Sequence, residues 1–220
     1  MQLVNEVRGG DRMLVMVASK NPELDTPGPD DLYRIGVAGV VARMLKVPDG
    51  TLRILVQGGQ RVKLEEFTET EPYLVARITP LPDIVDQTPE LEALFRNVQQ
   101  NFLQIIEKSP YLPEELQLAV ANLEDPAELA HMIAGALRMK TEERQELLEE
   151  RDLQKRLRRL SELLAHELEV LEIGGRIQTQ VQGEIEKGQR EYFLRQQLKA
   201  IQEELGETDE TMAEAHELHE

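Results

Sequence analysis

The hydrophobic period of this 220-residue chain changes between Pro80 and Pro89, and that change divides what it can fold into. Up to Pro80, short segments rich in Val, Ile, Leu and Tyr alternate with turn residues: "RMLVMVAS", "LYRIGVAGVVARMLKV", "TLRILVQG", "QRVKLEEFTE" and "YLVARITPL". β-branched and aromatic residues suit a pleated, half-buried surface, so these segments predict strands. In "TLRILV", Leu52, Ile54 and Val56 alternate with Thr51, Arg53 and Leu55, which buries one face and leaves the other partly wet. "VPDGT", Val47 to Thr51, predicts a hairpin, because Pro48 presets the turn and Gly50 accepts a positive φ. The opening "QLVNEV" predicts a short helix.

Beyond Pro89 the period becomes helical. "PELEALFRNVQQNFLQIIEKS" sets Leu91, Leu94, Phe95, Val98, Phe102, Ile105 and Ile106 on one stripe, with Thr88 as the capping residue. "PEELQLAVANL" and "PAELAHMIAGAL" repeat the pattern of an early proline followed by acids, the second with Asp125 as cap. "TEERQELLEE" and a helix from about Leu153 to Ile173 follow, then a break expected at Gly174-Gly175 and a last long helix. The expected fold class is α+β: a small, β-rich, pseudo-barrel-like N-terminal lobe, then an all-helical lobe ending in a long, coiled-coil-prone helix. The boundaries fall at 1–82 for the β lobe, 83–174 for the helical lobe, 175–206 for the arm and 207–220 for an acidic tail.

The arm carries two apolar stripes. At about 100° per residue from Ile173, the side chains of Ile177, Val181 and Ile185 fall at roughly 40°, 80° and 120°, and Tyr192 joins them at about 100°. Leu194, Leu198, Ile201 and Leu205 fall at roughly 300°, 340°, 280° and 320°, and Phe193 at about 200° belongs to neither set. Two stripes on one helix call for two partners: the chain's own lobe for the first and another helix or subunit for the second, or packing of both within one monomer. Gly183 and Gly188 lie at the changeover and predict a flexible or kinked joint.

Composition closes off several functions. A hydrophobic share of 40% supports a core, and with aromatics at 4% and no Trp that core must be aliphatic. The absence of Cys removes disulfides and thiolate metal sites and suits a reducing cytoplasm. No run reaches the roughly 18 apolar residues of a membrane span, and the N-terminus lacks signal-peptide order. A soluble cytoplasmic protein is expected, with no membrane partner. The net charge of −17 argues against nucleic acid. The basic cluster of Lys155, Arg156, Arg158 and Arg159 follows "EERQELLEERD" and reads as one side of a charge-laced helix surface.

Catalytic signatures are missing. "GGQRVK" at Gly58 has neither the spacing nor the Lys-Ser/Thr of a phosphate loop. Ser19, Ser109 and Ser161 lie outside any nucleophile elbow. His131 reads as a packed helix residue, and His216 and His219 in "HELHE" as surface residues without metal-binding order. No catalytic, cofactor or metal site is assigned, and the chain is not expected to be an enzyme. Two readings remain: a binding and assembly module whose arm joins a partner or a following domain, and a free-standing adaptor or coiled-coil scaffold. The tail "ETDETMAEAHELHE", acidic and without Lys or Arg, reads as a linker and favours the first.

"EKGQREYFLRQQLKAIQEELGE" resembles the helical segment ahead of the ATPase module in bacterial Lon, the ATP-dependent serine protease. Gln189, Arg190, Glu191, Tyr192, Phe193, Leu194, Arg195, Gln197, Leu198, Lys199, Ala200, Ile201 and Gln202 follow that motif; Gln196 and Glu203 depart from the usual Glu and Lys. "PGPDDLYRIGVAGVVARMLKVPDGTLRILVQGGQRVKL" is similar to the family's β-rich N-terminal domain, and "EDPAELAHMIAGAL" to its helical lobe. Family domains open with a Pro-Leu-Arg-type strand and a further strand before the helix that "MQLVNEV" resembles. About three dozen residues of that pattern have no counterpart, so the β lobe is expected to lack its first strands. The chain also stops before the phosphate-loop ATPase, with its ATP and Mg, and before the Ser-Lys protease region.

The resemblance implies capture of unfolded or damaged proteins for translocation and degradation, and a hexamer in the full-length protein, with the fragment weakly associating or monomeric. Capture needs exposed apolar side chains that demand no sequence. The substrate-contact candidates are Tyr33, Tyr73, Leu81 and Ile84 near the lobe junction. The assembly candidates on the arm are Arg190, Tyr192, Phe193, Leu194, Leu198, Ile201 and Leu205.

Overall fold

The computed structural model describes residues 12–47 and 51–205, together with residues 3, 6, 7 and 10. The expected turn at Pro48 to Gly50, most of the expected helix at 2–7, and the acidic tail with His216 and His219 lie outside these residues. Two compact units divide the chain, Met1–His166 and Glu167–Glu220.

The first unit opens on a four-stranded antiparallel meander: β1 (Met13–Met16), β2 (Ile35–Lys46), β3 (Leu52–Glu69) and β4 (Val75–Pro80), in that spatial order. Between β1 and β2 a short 3₁₀ turn, Pro29–Asp31, is held by the Gly28 N–H donating to the Asp31 carboxylate at 2.9 Å. The segments "TLRILVQG" and "QRVKLEEFTE", expected as two strands, are the single strand β3. The Gly58-Gly59 pair that looked like a break is absorbed by a bulge: Ala38 pairs with Gln60 and Gly39 with Gly58, leaving Gly59 as the extra residue. Gly39 is required at this bend, since a Cβ there would stand 2.7 Å from the Gln57 carbonyl oxygen and 2.9 Å from Val56 Cγ1. Ala38, Val41, Val62 and Leu64 make the buried side of the sheet.

The helical part of the unit contains α1 (Pro89–Lys108), α2 (Leu116–Ala121), α3 (Pro126–Ala136), α4 (Thr141–Glu149) and the first turns of α5 (Leu153–Glu204). Thr88 and Asp125 cap as their positions dictate: Thr88 Oγ1 accepts from Leu91 N–H at 3.1 Å, and Asp125 Oδ1 from Ala127 N–H at 2.7 Å. Val98, Phe102, Ile105 and Ile106 of α1 are buried, as are Val120 of α2, Leu129 and Ile133 of α3, and Leu153, Leu157, Leu160 and Leu164 of α5. Gln99 fastens α2 to α1 by donating from Nε2 to the carbonyls of Val120 and Leu123, at 2.7 and 3.2 Å.

α5 corrects one expectation. It runs unbroken through Gly174 and Gly175, where a break was expected, and through Gly183 and Gly188. A Cβ at any of the four would meet nothing within 4 Å, so none is there to admit a neighbour. Helical propensity of the flanking Glu, Gln, Leu and Arg residues outweighs about 1 kcal/mol per glycine, and side-chain pairs at i,i+4 such as Gln182 with Glu186 (3.1 Å) add to it.

Candidate functional site

On the sheet, Met13 of β1 and Val40 of β2 are directly paired and both exposed. At the far end of the β2–β3 ribbon, Leu45, Ile54 and Leu55 are exposed as well. On α1 a shallow groove is lined by Leu91, Phe95, Gln99, Leu123 and Pro126. Such surfaces are non-directional in what they attract, since their attraction scales with apolar area removed from water.

The second feature is the joint between sheet and helices. The segment after β4 continues the ladder for one residue, Leu81 N–H donating to Arg61 O at 2.9 Å. It then forms an isolated parallel bridge with the start of α5: Ile84 N–H donates to Arg151 O at 2.9 Å, and Leu153 N–H to Ile84 O at 3.1 Å. Between these anchors stands Asp83. Its Oδ1 accepts from Arg61 Nη1 at 2.6 Å and from Arg156 Nη2 at 2.5 Å, and its Oδ2 from Arg156 Nη1 at 3.2 Å. Arg156 also donates from Nε to Glu150 O at 2.9 Å, and Arg151 Nε donates to Pro82 O at 3.1 Å.

Arg156 is 1% exposed and Arg61 8%. Burying two guanidiniums is tolerable only because a carboxylate and carbonyls receive them. Burial pushes the Asp83 carboxyl up, but the hydrogen bonds and charges of Arg156 and then Arg61 outweigh it and hold its pKa below the usual value. For Arg61, burial and then the charge of Arg156 lower the pKa against the opposing pull of Asp83. Arg61 Nε is buried without a hydrogen-bond partner among the described residues. Away from this cluster, Gln145 of α4, itself buried, donates from Nε2 to Ile35 O at 3.0 Å and ties the helices to the start of β2.

The four substrate-contact candidates are not brought to one place. Leu81, half-buried, and Ile84, 47% exposed, flank Asp83 at the joint. Tyr33, half-buried, precedes β2, its N–H donating to Ala18 O at 3.0 Å. Tyr73, half-buried, lies beyond the other end of β4 from Leu81, roughly 20 Å or more along an extended strand. The reading of Lys155 to Arg159 as a solvated face is corrected for Arg156, which points into the protein. The signal was present: Leu153, Arg156, Leu157, Leu160 and Leu164 share one helical stripe, and the single cation on it required a buried acid. His131, expected as packed, keeps solvent exposure on α3; the protein around it, then Arg156 and Arg61, lower its pKa.

In the second unit, the arm candidates Arg190, Tyr192, Phe193, Leu194, Leu198, Ile201 and Leu205 are all exposed, as are Ile173, Ile177, Val181 and Ile185 of the other stripe. No helix among the described residues is long and apolar enough to cross a membrane.

A family model described as the ATP-dependent protease La (LON) substrate-binding domain matches residues 1–166. The Lon protease of Dictyoglomus thermophilum is 44% identical over 217 residues, covering 99% of this chain and 27% of that protein. The Lon protease of Koribacter versatilis is 40% identical over 221 residues, covering all of this chain and 27% of its own length. In fold, the chain is similar to the N-terminal domain of Mycobacterium avium complex Lon protease, with a TM-score of 0.55 at 18% identity over 69% of this chain and 90% of that one. The chain spans about a quarter of the curated relatives it matches, and the part it shares is the domain, not the ATPase or protease modules. From its sheet-and-helix fold and from these matches, the chain belongs to the Lon protease family and carries that family's substrate-binding domain.

Proposed function

We propose that this chain captures unfolded or damaged protein segments and hands them to a Lon-type ATP-dependent protease in the cytoplasm. The observation that carries the reading is the exposed apolar side chains on one face of the β2–β3 ribbon, Val40, Leu45 and Leu55, in a unit matched to a substrate-binding domain. A folded protein hides its apolar side chains and an unfolded one does not, so such a surface discriminates the two without reading sequence. Leu81 and Ile84 add apolar side chains at the joint, and Tyr33 and Tyr73 add half-buried aromatic rings. ATP and Mg belong to the ATPase module of the whole protein.

The arm supplies assembly. Leu194, Leu198, Ile201 and Leu205 form one stripe, with Arg190 beside it, and meet the same stripe of another copy in the hexamer, while Tyr192 and Phe193, on other faces of the helix, serve further contacts of the assembly. Capture is tested by titrating the chain with a permanently unfolded polypeptide and with its folded form. Preference for the unfolded form is expected, and equal weak affinity for both would sink the reading.

A further inference from the structure

The apolar ribbon end has an unusual charge. In a chain of net charge −17, the only acidic residue between Ile35 and Leu64 is Asp49, against Arg43, Lys46, Arg53, Arg61 and Lys63. Arg61 is consumed by Asp83, and Lys63 pairs with Glu65 at 2.9 Å. Arg43 and Arg53 are exposed and have no ion-pair partner among the described residues.

The register places them together. Arg43 pairs with Leu55 and Leu45 with Arg53, with no bulge between the two pairs. Because alternate residues of a strand share a face, all four side chains stand on the same face of the ribbon, two cations on one diagonal and two leucines on the other. Leu45 is 55% exposed and Leu55 63%. Isolated exposed leucines are ordinary, whereas leucines alternating with exposed arginines on an otherwise acidic protein form a patterned surface.

Resting on the capture reading, we infer that this face selects the charge of what it holds: it binds extended, unfolded segments in which Asp or Glu alternates with large apolar residues, and disfavours those rich in Lys or Arg. The leucines take the apolar side chains, and the arginines receive the carboxylates at the spacing of an extended chain. Charge complementarity identifies the occupant: a basic segment meets repulsion from the two arginines, while an acidic one finds cations here on an otherwise acidic protein.

The test uses the 220-residue chain and three labelled unstructured peptides with one Leu/Phe pattern and intervening residues of Asp and Glu, of Ser and Gln, or of Lys. Fluorescence anisotropy should find the acidic peptide bound about fivefold tighter than the uncharged one, as expected for two exposed charge contacts, and the lysine peptide weakest. The advantage should shrink at high salt and vanish in R43E/R53E and, as a milder change, in R43Q/R53Q, with circular dichroism unchanged. Equal binding of the acidic and lysine peptides, or an acidic advantage that survives R43E/R53E, would overturn the charge selection. If all three peptides bind equally and L45S/L55S abolishes binding, capture stands and the selection falls. If none binds, the capture reading itself falls. Concentration-dependent sedimentation that is lost in R43E/R53E would assign the face to a second copy and overturn the inference.

Discussion

Asp83 and Arg156, far apart in sequence, meet through both carboxylate oxygens, at 2.5 and 3.2 Å, where the chain enters and leaves its helical lobe. Removing the carboxylate strands two buried guanidiniums, so Asp83→Ala is expected to cost about 3–5 kcal/mol in urea unfolding. Arg156→Met in the Asp83→Ala background should recover part of this, because it removes one of the stranded charges. A loss below about 1 kcal/mol would show that solvent reaches the cluster and the pairing is weak.

The same carboxylate sets an acid limit. Its folded pKa lies below the ordinary aspartate value of 3.8, so its contribution is present above that value and is lost as pH falls through the folded pKa. Thermal unfolding followed from pH 6 down to pH 2 should therefore show a steep loss of stability in the acid range. That component should be missing in Asp83→Asn. His131 acts higher: its folded pKa is below 6.5, so its contribution is present above 6.5 and declines as pH falls through the folded value. His131→Gln should flatten the stability profile in that window and leave the acid limb intact.

Thr88 holds the first turn of α1 through one hydrogen bond to Leu91 N–H. Thr88→Ala should cost about 1 kcal/mol, and Thr88→Ser much less, since the hydroxyl is retained. Equal losses for the two would mean that the methyl group, not the cap, is what matters.

Gly183 and Gly188 touch nothing that a methyl group would meet, and both lie within a continuous helix. Replacing both by Ala should raise helicity and slow amide exchange in the arm, by up to about 1 kcal/mol per site. Faster exchange would show that the arm departs from a regular helix at these positions.

On the arm, replacing Leu194, Leu198, Ile201 and Leu205 by Gln should leave the unfolding of the first unit unchanged, since none of the four is buried. Any self-association seen by sedimentation at high concentration should be lost. Association that persists unchanged would place the contact elsewhere.

Local rules carried much of this fold. The period change near Pro80, the caps Thr88 and Asp125, and the apolar stripe of α1 follow from spacing within a few residues, and all are found in place. Where reasoning from neighbours failed, the deciding contact was distant. Gly58 and Gly59 read as a break because their partner across the strand, the Ala38-Gly39 step, was unknown; once paired, the same glycines become a bulge. Arg156 read as solvated because its immediate neighbours are charged, while Asp83, which receives it, is 73 residues away. The tandem glycines at Gly174 were given a stop signal that no turn residue or proline reinforces. Exposed side chains were the least legible, since Leu45 and Leu55 carry the same alternation as a buried strand and only the register shows which arginines accompany them.

The bridge from Ile84 to Asp152 gives the helical lobe a particular standing in the molecule. Residues 85–151 become an insert whose entrance and exit are sewn together, so the path from sheet to long helix is one step in space although it is a long detour along the backbone. Lengthening or nicking a link inside the insert, such as the one before α2, would leave that short path intact. The sheet and the first turns of α5 are thus joined directly, and α1 to α4 lie in a loop of chain whose two ends meet at Ile84 and Asp152.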